Sequence, residues 1–221
     1  MSYKVALFDF CETLVDFQTA DAFIDYIRNE TRSRSMRTKE TIRTILDRFY
    51  LIRIVDYIFP GHSLNKRLKL LQLRGYTVNE LNYWANRYYN NRIKPHFIPF
   101  MIDKMMDYKE KGYQIGVVSG GYGLYLHYFV REFGLDYCLS SNIEFEDNIC
   151  TGKLDGLDCM NDNKVLLLNG LFTCKPNNTI GFSDSKSDIP FLSWVDKGIV
   201  ISKNKHQNWV DNFKFDEIIW K

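Results

Sequence analysis

Five side chains spread along most of the 221 residues are of the types that handle phosphate. Asp9 follows the apolar, β-branched run Tyr3–Phe8, so its carboxylate stands where a buried strand gives way to a loop. Ser119 follows Tyr113–Val118 in the same way and leads into Gly120 and Gly121. Asp184 comes just after the short strand Thr179–Phe182, and Asp188 opens a short helix reaching Trp194. Lys164 sits at the start of a helix over Asn163–Leu171. Singly, each is ordinary: an aspartate at a turn, a glycine-rich bend, a surface lysine. In an open parallel sheet, however, ligands bind beyond the carboxyl ends of the strands, and three separate stretches deliver polar groups to that edge. There the Ser119 hydroxyl and the backbone N–H groups freed by Gly120 and Gly121 would seat a phosphate at the next helix's N-terminus. Lys164 would neutralise its oxygens. Asp9, Asp184 and Asp188 would repel one another without a divalent cation, and hard oxygen ligands beside phosphate select Mg²⁺.

The elements that must hold these groups alternate after Pro95. Helix Pro99–Lys111, strand Tyr113–Val118, helix Leu124–Phe133, strand Tyr137–Ser140, a hairpin over Asn142–Gly152 and the segments already named give the rhythm of a parallel sheet with helices on its faces. Between the first strand and this region the pattern is helical throughout. Phe17–Arg32 is one helix; after a polar interval Thr31–Thr38, a second runs to about Ile58, stopped by Pro60 and Gly61. Leu64–Leu73 is a third, and Thr77 to about Asn91 a fourth, opened by a Thr77/Glu80 capping box. The expected organisation is an α/β core of residues 1–15 and 95–221, with residues 16–94 inserted as a helical bundle.

Composition narrows the function. Apolar residues make up 45%, and 29 basic against 27 acidic residues give a net charge of +2, which provides no general attraction for nucleic acid. The five cysteines lack CxxC spacing and the four histidines are scattered, so neither a disulfide framework nor a histidine metal site is expected. No stretch approaches a membrane span, and no basic region precedes a long apolar run near the N-terminus. A soluble cytoplasmic protein acting on a small-molecule phosphate ester, without nucleic-acid or membrane partners, is the expectation.

Four motifs in order make the chain resemble the haloacid dehalogenase superfamily, in particular its phosphoserine phosphatase-like branch. FDFCETL stands where the family has its DxDxT strand end, VVSGG matches the second motif, Lys164 in NDNKVLLL the third, and GFSDSKSDIPFL the fourth. The resemblance covers nearly the whole length. It implies a Rossmann-like parallel-sheet core with an α-helical cap over the site, and a phosphatase in which Asp9 is the nucleophile that becomes an aspartyl phosphate. By the same resemblance, Mg²⁺ would be held by Asp9, the backbone carbonyl of Cys11 and Asp184, with Asp188 positioning a metal-bound water or Lys164. Ser119, the Gly120 N–H and Lys164 would hold the phosphoryl oxygens.

One departure bears on turnover. Cys11 replaces the motif's second aspartate, which protonates the leaving group and then activates water. A thiol of ordinary pKa about 8.5 is a poor substitute for a carboxylate of about 3.9, and losing such a group costs on the order of 10²–10⁴ in rate. Glu12 would not take over if the backbone stays extended, because it would then point away from the side of its neighbours. Three outcomes stay open: a phosphatase assisted by other groups, a phosphotransferase with a non-water acceptor, or a phospho-ligand-binding protein. Ser183, where glycine is usual, is a smaller change. In the inserted helices the candidates for reading the substrate are Gln18, Asp21, Arg43, Arg48 and Trp84, the last with Tyr88 as a possible stacking wall for a sugar or polyol phosphate.

Overall fold

The computed structural model describes residues 4–58 and 64–221, with the side chains of residues 52, 53, 56 and 58 outside the description. The helix stop expected at Pro60 and Gly61 lies outside the described residues. Strand β1 (Lys4–Phe8) has Val5, Ala6, Leu7 and Phe8 wholly buried, the pattern of a strand covered on both faces. It pairs in parallel with β2 (Tyr113–Tyr122) on one side and β5 (Thr179–Ser183) on the other. With β3 (Tyr137–Glu146), β4 (Ile149–Asp155), β6 (Lys197–Lys203) and β7 (Asp216–Trp220), the sheet runs in the order β4-β3-β2-β1-β5-β6-β7. Only the β3–β4 hairpin pair within it is antiparallel. Because the chain winds outward in opposite directions from β1, a crevice opens at the carboxyl end of that strand.

Two strands differ from the sequence reading. β3 is continuous where a short strand and a separate hairpin arm were expected, and β2 continues past Val118 to Tyr122, with a register shift against β3 between Ser119 and Tyr122. That irregularity bends the Gly120–Gly121 segment at the sheet edge.

Helices α1 (Thr19–Thr31), α2 (Arg34–Arg48), α3 (Leu51–Ile58), α4 (Leu64–Leu70) and α5 (Val78–Tyr88) lie between β1 and β2. The expected long second helix is divided, because Tyr50 takes φ 59° between α2 and α3. The expected polar interval shrinks to Arg32 and Ser33, since the Ser33 hydroxyl accepts from Met36 N and caps α2. The Thr77/Glu80 capping box is formed at α5. Helices α6 (Pro99–Glu110), α7 (Gly123–Phe133), α8 (Asp162–Leu171) and α9 (Ile189–Trp194) complete the α/β part. α7 ends where Gly134 takes the left-handed φ of 57° that a residue without Cβ adopts freely.

The inserted helices share one apolar core with the sheet. Phe23 of α1 and Tyr88 of α5 pack on Tyr125 of α7, with ring centroids 5.3 and 5.4 Å away, and Phe8 stacks on Phe182 at 4.5 Å. This continuity fixes the insert over the crevice. Among the described residues no helix is long and apolar enough to cross a membrane, and the cysteines are unpaired.

Candidate active site

Asp9 leaves β1 with its backbone N–H donating to Phe182 O of β5 at 2.8 Å, so the neighbouring strand aims its carboxylate into the crevice. Lys164, one residue pair into α8 and 3% exposed, donates from Nζ to Asp9 Oδ1 at 2.7 Å and to Asp188 Oδ2 at 2.6 Å. Burial works against the lysine's charge, but the two carboxylates outweigh it and its pKa is raised, so the ammonium is retained. Burial also pushes Asp9 up to about 6, with Lys164 pulling down and Asp188 pushing up. Asp188 accepts a second hydrogen bond, from Ser183 Oγ at 2.6 Å. Both contacts fall on Oδ2, so this oxygen anchors Lys164 while Asp188 lines the cleft. Ser183, which replaces a glycine of the motif, supplies an anchor that the motif lacks, and its φ is not among the positive ones.

Cys11 is enclosed. Its Sγ lies 3.1 Å from Thr19 Oγ1 and receives the Thr19 N–H at 3.4 Å, while Thr19 Oγ1 lies 2.8 Å from Tyr125 Oη. Burial, reinforced by the charge of Asp9, pushes the thiol up to about 12, so it stays protonated at neutral pH. It is therefore a donor and not a base. Glu12 departs from the sequence reading: its φ is 55°, so the backbone is not extended here, and its carboxylate adds to the negative charge around Asp184. Asp184 also accepts from Thr13 Oγ1 at 3.4 Å. Burial, then the charges of Asp9 and Glu12, push Asp184 up to about 8.

That crowding bears on Mg²⁺. Among the described residues no three acidic, histidine or cysteine side chains form a ready-made metal cage. Asp9 and Asp184, which both line the cleft, would nevertheless offer two hard oxygen ligands, the charge of Asp9 weighing on Asp184. Mg²⁺ is ordinarily held by one or two carboxylates with water and phosphate completing its shell, so this donor set fits it.

A cleft of about 370 Å³ opens above these groups, lined by Asp9, Cys11, Ser119, Gly120, Gly121, Lys164, Asp184 and Asp188 from the sheet edge. Ser119 Oγ accepts from Gly121 N at 3.1 Å, which leaves its own O–H to donate elsewhere. A Cβ on Gly121 would come within 2.7 Å of Tyr125 Oη, so the bend needs glycine at that position. From the inserted helices Gln18, Ala20, Asp21, Asn65 and Lys66 close the other wall.

Three candidate substrate-reading residues lie outside the cleft lining. Arg43 pairs with Glu40 at 2.7 Å and donates to Asn65 Oδ1 at 2.8 Å, behind the cleft-lining Asn65. Arg48 is exposed at the end of α2, outside the cleft lining. Trp84 packs edge-on against Tyr83 and Tyr26, with centroids 5.0 and 6.4 Å away, and Tyr88 is wholly buried. Aromatic pairing inside the bundle competes for these rings. Lys66 and Thr19 are not singled out by the sequence reading. For Lys66 a signal existed, because it continues the inward stripe of Leu70 and Leu73 at helical spacing.

The chain and its fold are similar to known proteins. The family model described as haloacid dehalogenase-like hydrolase matches residues 6–193. A phosphoserine phosphatase of Albidiferax ferrireducens is 25% identical over 197 residues, covering 86% of this chain and 75% of that protein. One from Streptococcus thermophilus is 29% identical over 143 residues, covering 62% of this chain and 61% of that protein. In fold, a Bordetella pertussis Tohama I protein of unknown function superposes with TM-score 0.82 at 18% identity, covering 99% of each chain. The phospho-aspartyl intermediate analogue of a phosphoserine phosphatase superposes with TM-score 0.61 at 20% identity, covering 100% of this chain and 95% of that one.

Proposed function

The chain belongs to the haloacid dehalogenase-like hydrolases, in their phosphoserine phosphatase-like branch, and from that premise we propose that it is a Mg²⁺-dependent phosphatase of small phosphate esters working through an aspartyl phosphate on Asp9. The observation that carries this reading is the Lys164 ammonium bridging Asp9 and Asp188 beneath a cleft whose far edge is Ser119 and Gly120. A buried cation, a hydroxyl and backbone N–H groups around one carboxylate are what in-line phosphoryl transfer requires.

Asp9 would attack phosphorus while the ester P–O bond breaks and the alcohol departs with the bonding pair. Lys164, held in place by Asp188, offsets charge on the phosphoryl oxygens, and Ser119 O–H and the Gly120 N–H donate to them. Asp9, Asp184 and the Cys11 carbonyl would hold Mg²⁺, whose positive charge would add to that of Lys164. The inserted helices 16–94 act in this reading as the cover that excludes water and meets the alcohol. Cys11, a protonated thiol, can donate toward the departing oxygen but does not draw a proton from water.

That last point favours a second reading, in which the phosphoryl group persists on Asp9 and passes to an acceptor other than water. One experiment addresses both. The protein is incubated with Mg²⁺ and a panel of phosphate esters, released phosphate is measured, and intact mass is examined for an added phosphoryl group, with Asp9→Asn as background. Phosphate release above background is the expected result; a lasting phosphorylated form without release would select transfer, and neither with any ester would overturn both.

A further inference from the structure

Helix α4 carries a lysine on its buried face. Lys66 is 7% exposed, and its Nζ donates to the Gly120 carbonyl at 2.7 Å and to Ser141 Oγ at 3.0 Å and pairs with the Asp158 carboxylate. Ser141, wholly buried on β3, donates to Asp158 Oδ1 at 2.6 Å and accepts from Cys159 N at 3.1 Å. One ammonium from the inserted helices thus joins the bend of β2, the middle of β3 and the stretch that leads to Lys164.

The contact with Gly120 reaches the phosphate seat. The Gly120 carbonyl and the Gly121 N–H belong to one planar peptide unit. Lys66 holds the carbonyl end, and Ser119 Oγ holds the N–H end at 3.1 Å. With both ends held, the plane is set and the Ser119 hydroxyl proton is left for a phosphoryl oxygen. Without Lys66, a peptide between two glycines has little to resist rotation.

The charge of Lys66 is also matched from within. Asp158 Oδ2 is buried and, among the described residues, has no hydrogen-bond partner, so this carboxylate depends on Lys66 and Ser141. One turn on, Lys69 lies 2.9 Å from Asp21 and 3.7 Å from Asp25, which matches the acid on the cleft wall as well. Gln18 and Asn65 are neutral polar groups lining the same cleft.

Resting on the phosphatase reading, we infer that Lys66 is a positioning residue that locks the Gly120–Gly121 peptide of the phosphate seat. Being neutralised by Asp158, it leaves the alcohol side of the cleft to an uncharged, hydroxyl-bearing group and not to a carboxylate.

Inorganic phosphate is the discriminating probe, because it fills the seat without an alcohol to touch the wall. Its binding is titrated calorimetrically in Mg²⁺ buffer into the native protein and into the double variant Lys66→Met/Asp158→Asn, which removes both buried charges together. The expected result is a double variant with a cooperative melting transition and phosphate affinity weaker by about tenfold or more. A folded double variant with native phosphate affinity overturns the inference. A native protein that binds no phosphate overturns the phosphatase reading itself, a distinct result. The second arm uses Asp158→Asn alone, which frees the cation: the ratio of kcat/KM for phosphoserine over glycerol 3-phosphate should rise about tenfold. An unchanged ratio overturns the specificity assignment.

Discussion

The Nζ of Lys164 lies 2.7 Å from Asp9 Oδ1 although 155 positions of chain separate them, and each is almost wholly buried. A buried cation beside two carboxylates is stable only as a set, so removing it costs more than a single hydrogen bond. Lys164→Met should lower stability by about 3–5 kcal/mol and kcat by about 10²–10³. Chemical denaturation and single-turnover phosphate release check the two effects separately.

Cys11→Asp should speed hydrolysis. The replacement carboxylate would find donors already in place, since Thr19 N and Oγ1 face the present Sγ at 3.4 and 3.1 Å. It would also bring a group able to take a proton from water, and a gain in kcat of about 10²-fold is expected. Rapid-quench measurement should show the phosphorylated form of Asp9 decaying faster than in the native protein. An unchanged decay would mean that another group already supplies the base.

The pH dependence of the metal-free protein has a definite sign. Folding raises Asp184 from 3.8 to about 8 and Asp9 from 3.8 to about 6, so between pH 4 and 8 the native state binds more protons than the unfolded state. Stability without metal therefore falls as pH rises through that window. Ligation requires the carboxylates deprotonated, so Mg²⁺ should bind more tightly with rising pH and release protons on binding. Thermal melts at pH 5 and pH 8, with EDTA or with Mg²⁺, should show the metal's stabilising effect larger at pH 8.

Much of the site could be read from the sequence because its parts sit at strand ends. An apolar run that stops at an acid or a serine marks Asp9, Ser119 and Asp184 by local pattern alone, and parallel topology then gathers them. What escaped depends on long-range packing or on single dihedrals. The left-handed φ of Glu12 carries no strong local signal, yet it accompanies a carboxylate whose charge acts on Asp184. For Lys66 the spacing with Leu70 and Leu73 marks an inward position, but its role is set only when Asp158, 92 positions on, is folded against it. β7 was missed because Asp216–Trp220 is brief, and β6 alone pairs with it at the sheet edge.

Ser183→Gly restores the residue usual in the motif and removes the hydroxyl that donates to Asp188 Oδ2 at 2.6 Å. Lys164 still engages that oxygen at 2.6 Å, so the acid is not left unpaired. A stability loss of about 1 kcal/mol is expected, together with a lower kcat at unchanged KM if Asp188 then holds Lys164 less firmly. A loss in KM alone would place Ser183 in substrate binding instead.

The contrast between the two walls of the cleft yields the last expectation. Trp84 has the aromatic surface suited to stacking on a sugar, but its ring is engaged by Tyr83 and Tyr26 and approached by Arg87 at 5.9 Å. Arg48 has the charge suited to a second anion, but it is exposed outside the cleft lining. Trp84→Leu should therefore lower stability by about 1–2 kcal/mol through lost packing while leaving kcat/KM near the native value at a temperature where both proteins are folded. Arg48→Ala should change neither. Gln18→Ala, at the cleft wall, should instead raise KM for the preferred ester, so steady-state kinetics on the three variants separates residues that build the bundle from those that meet the substrate.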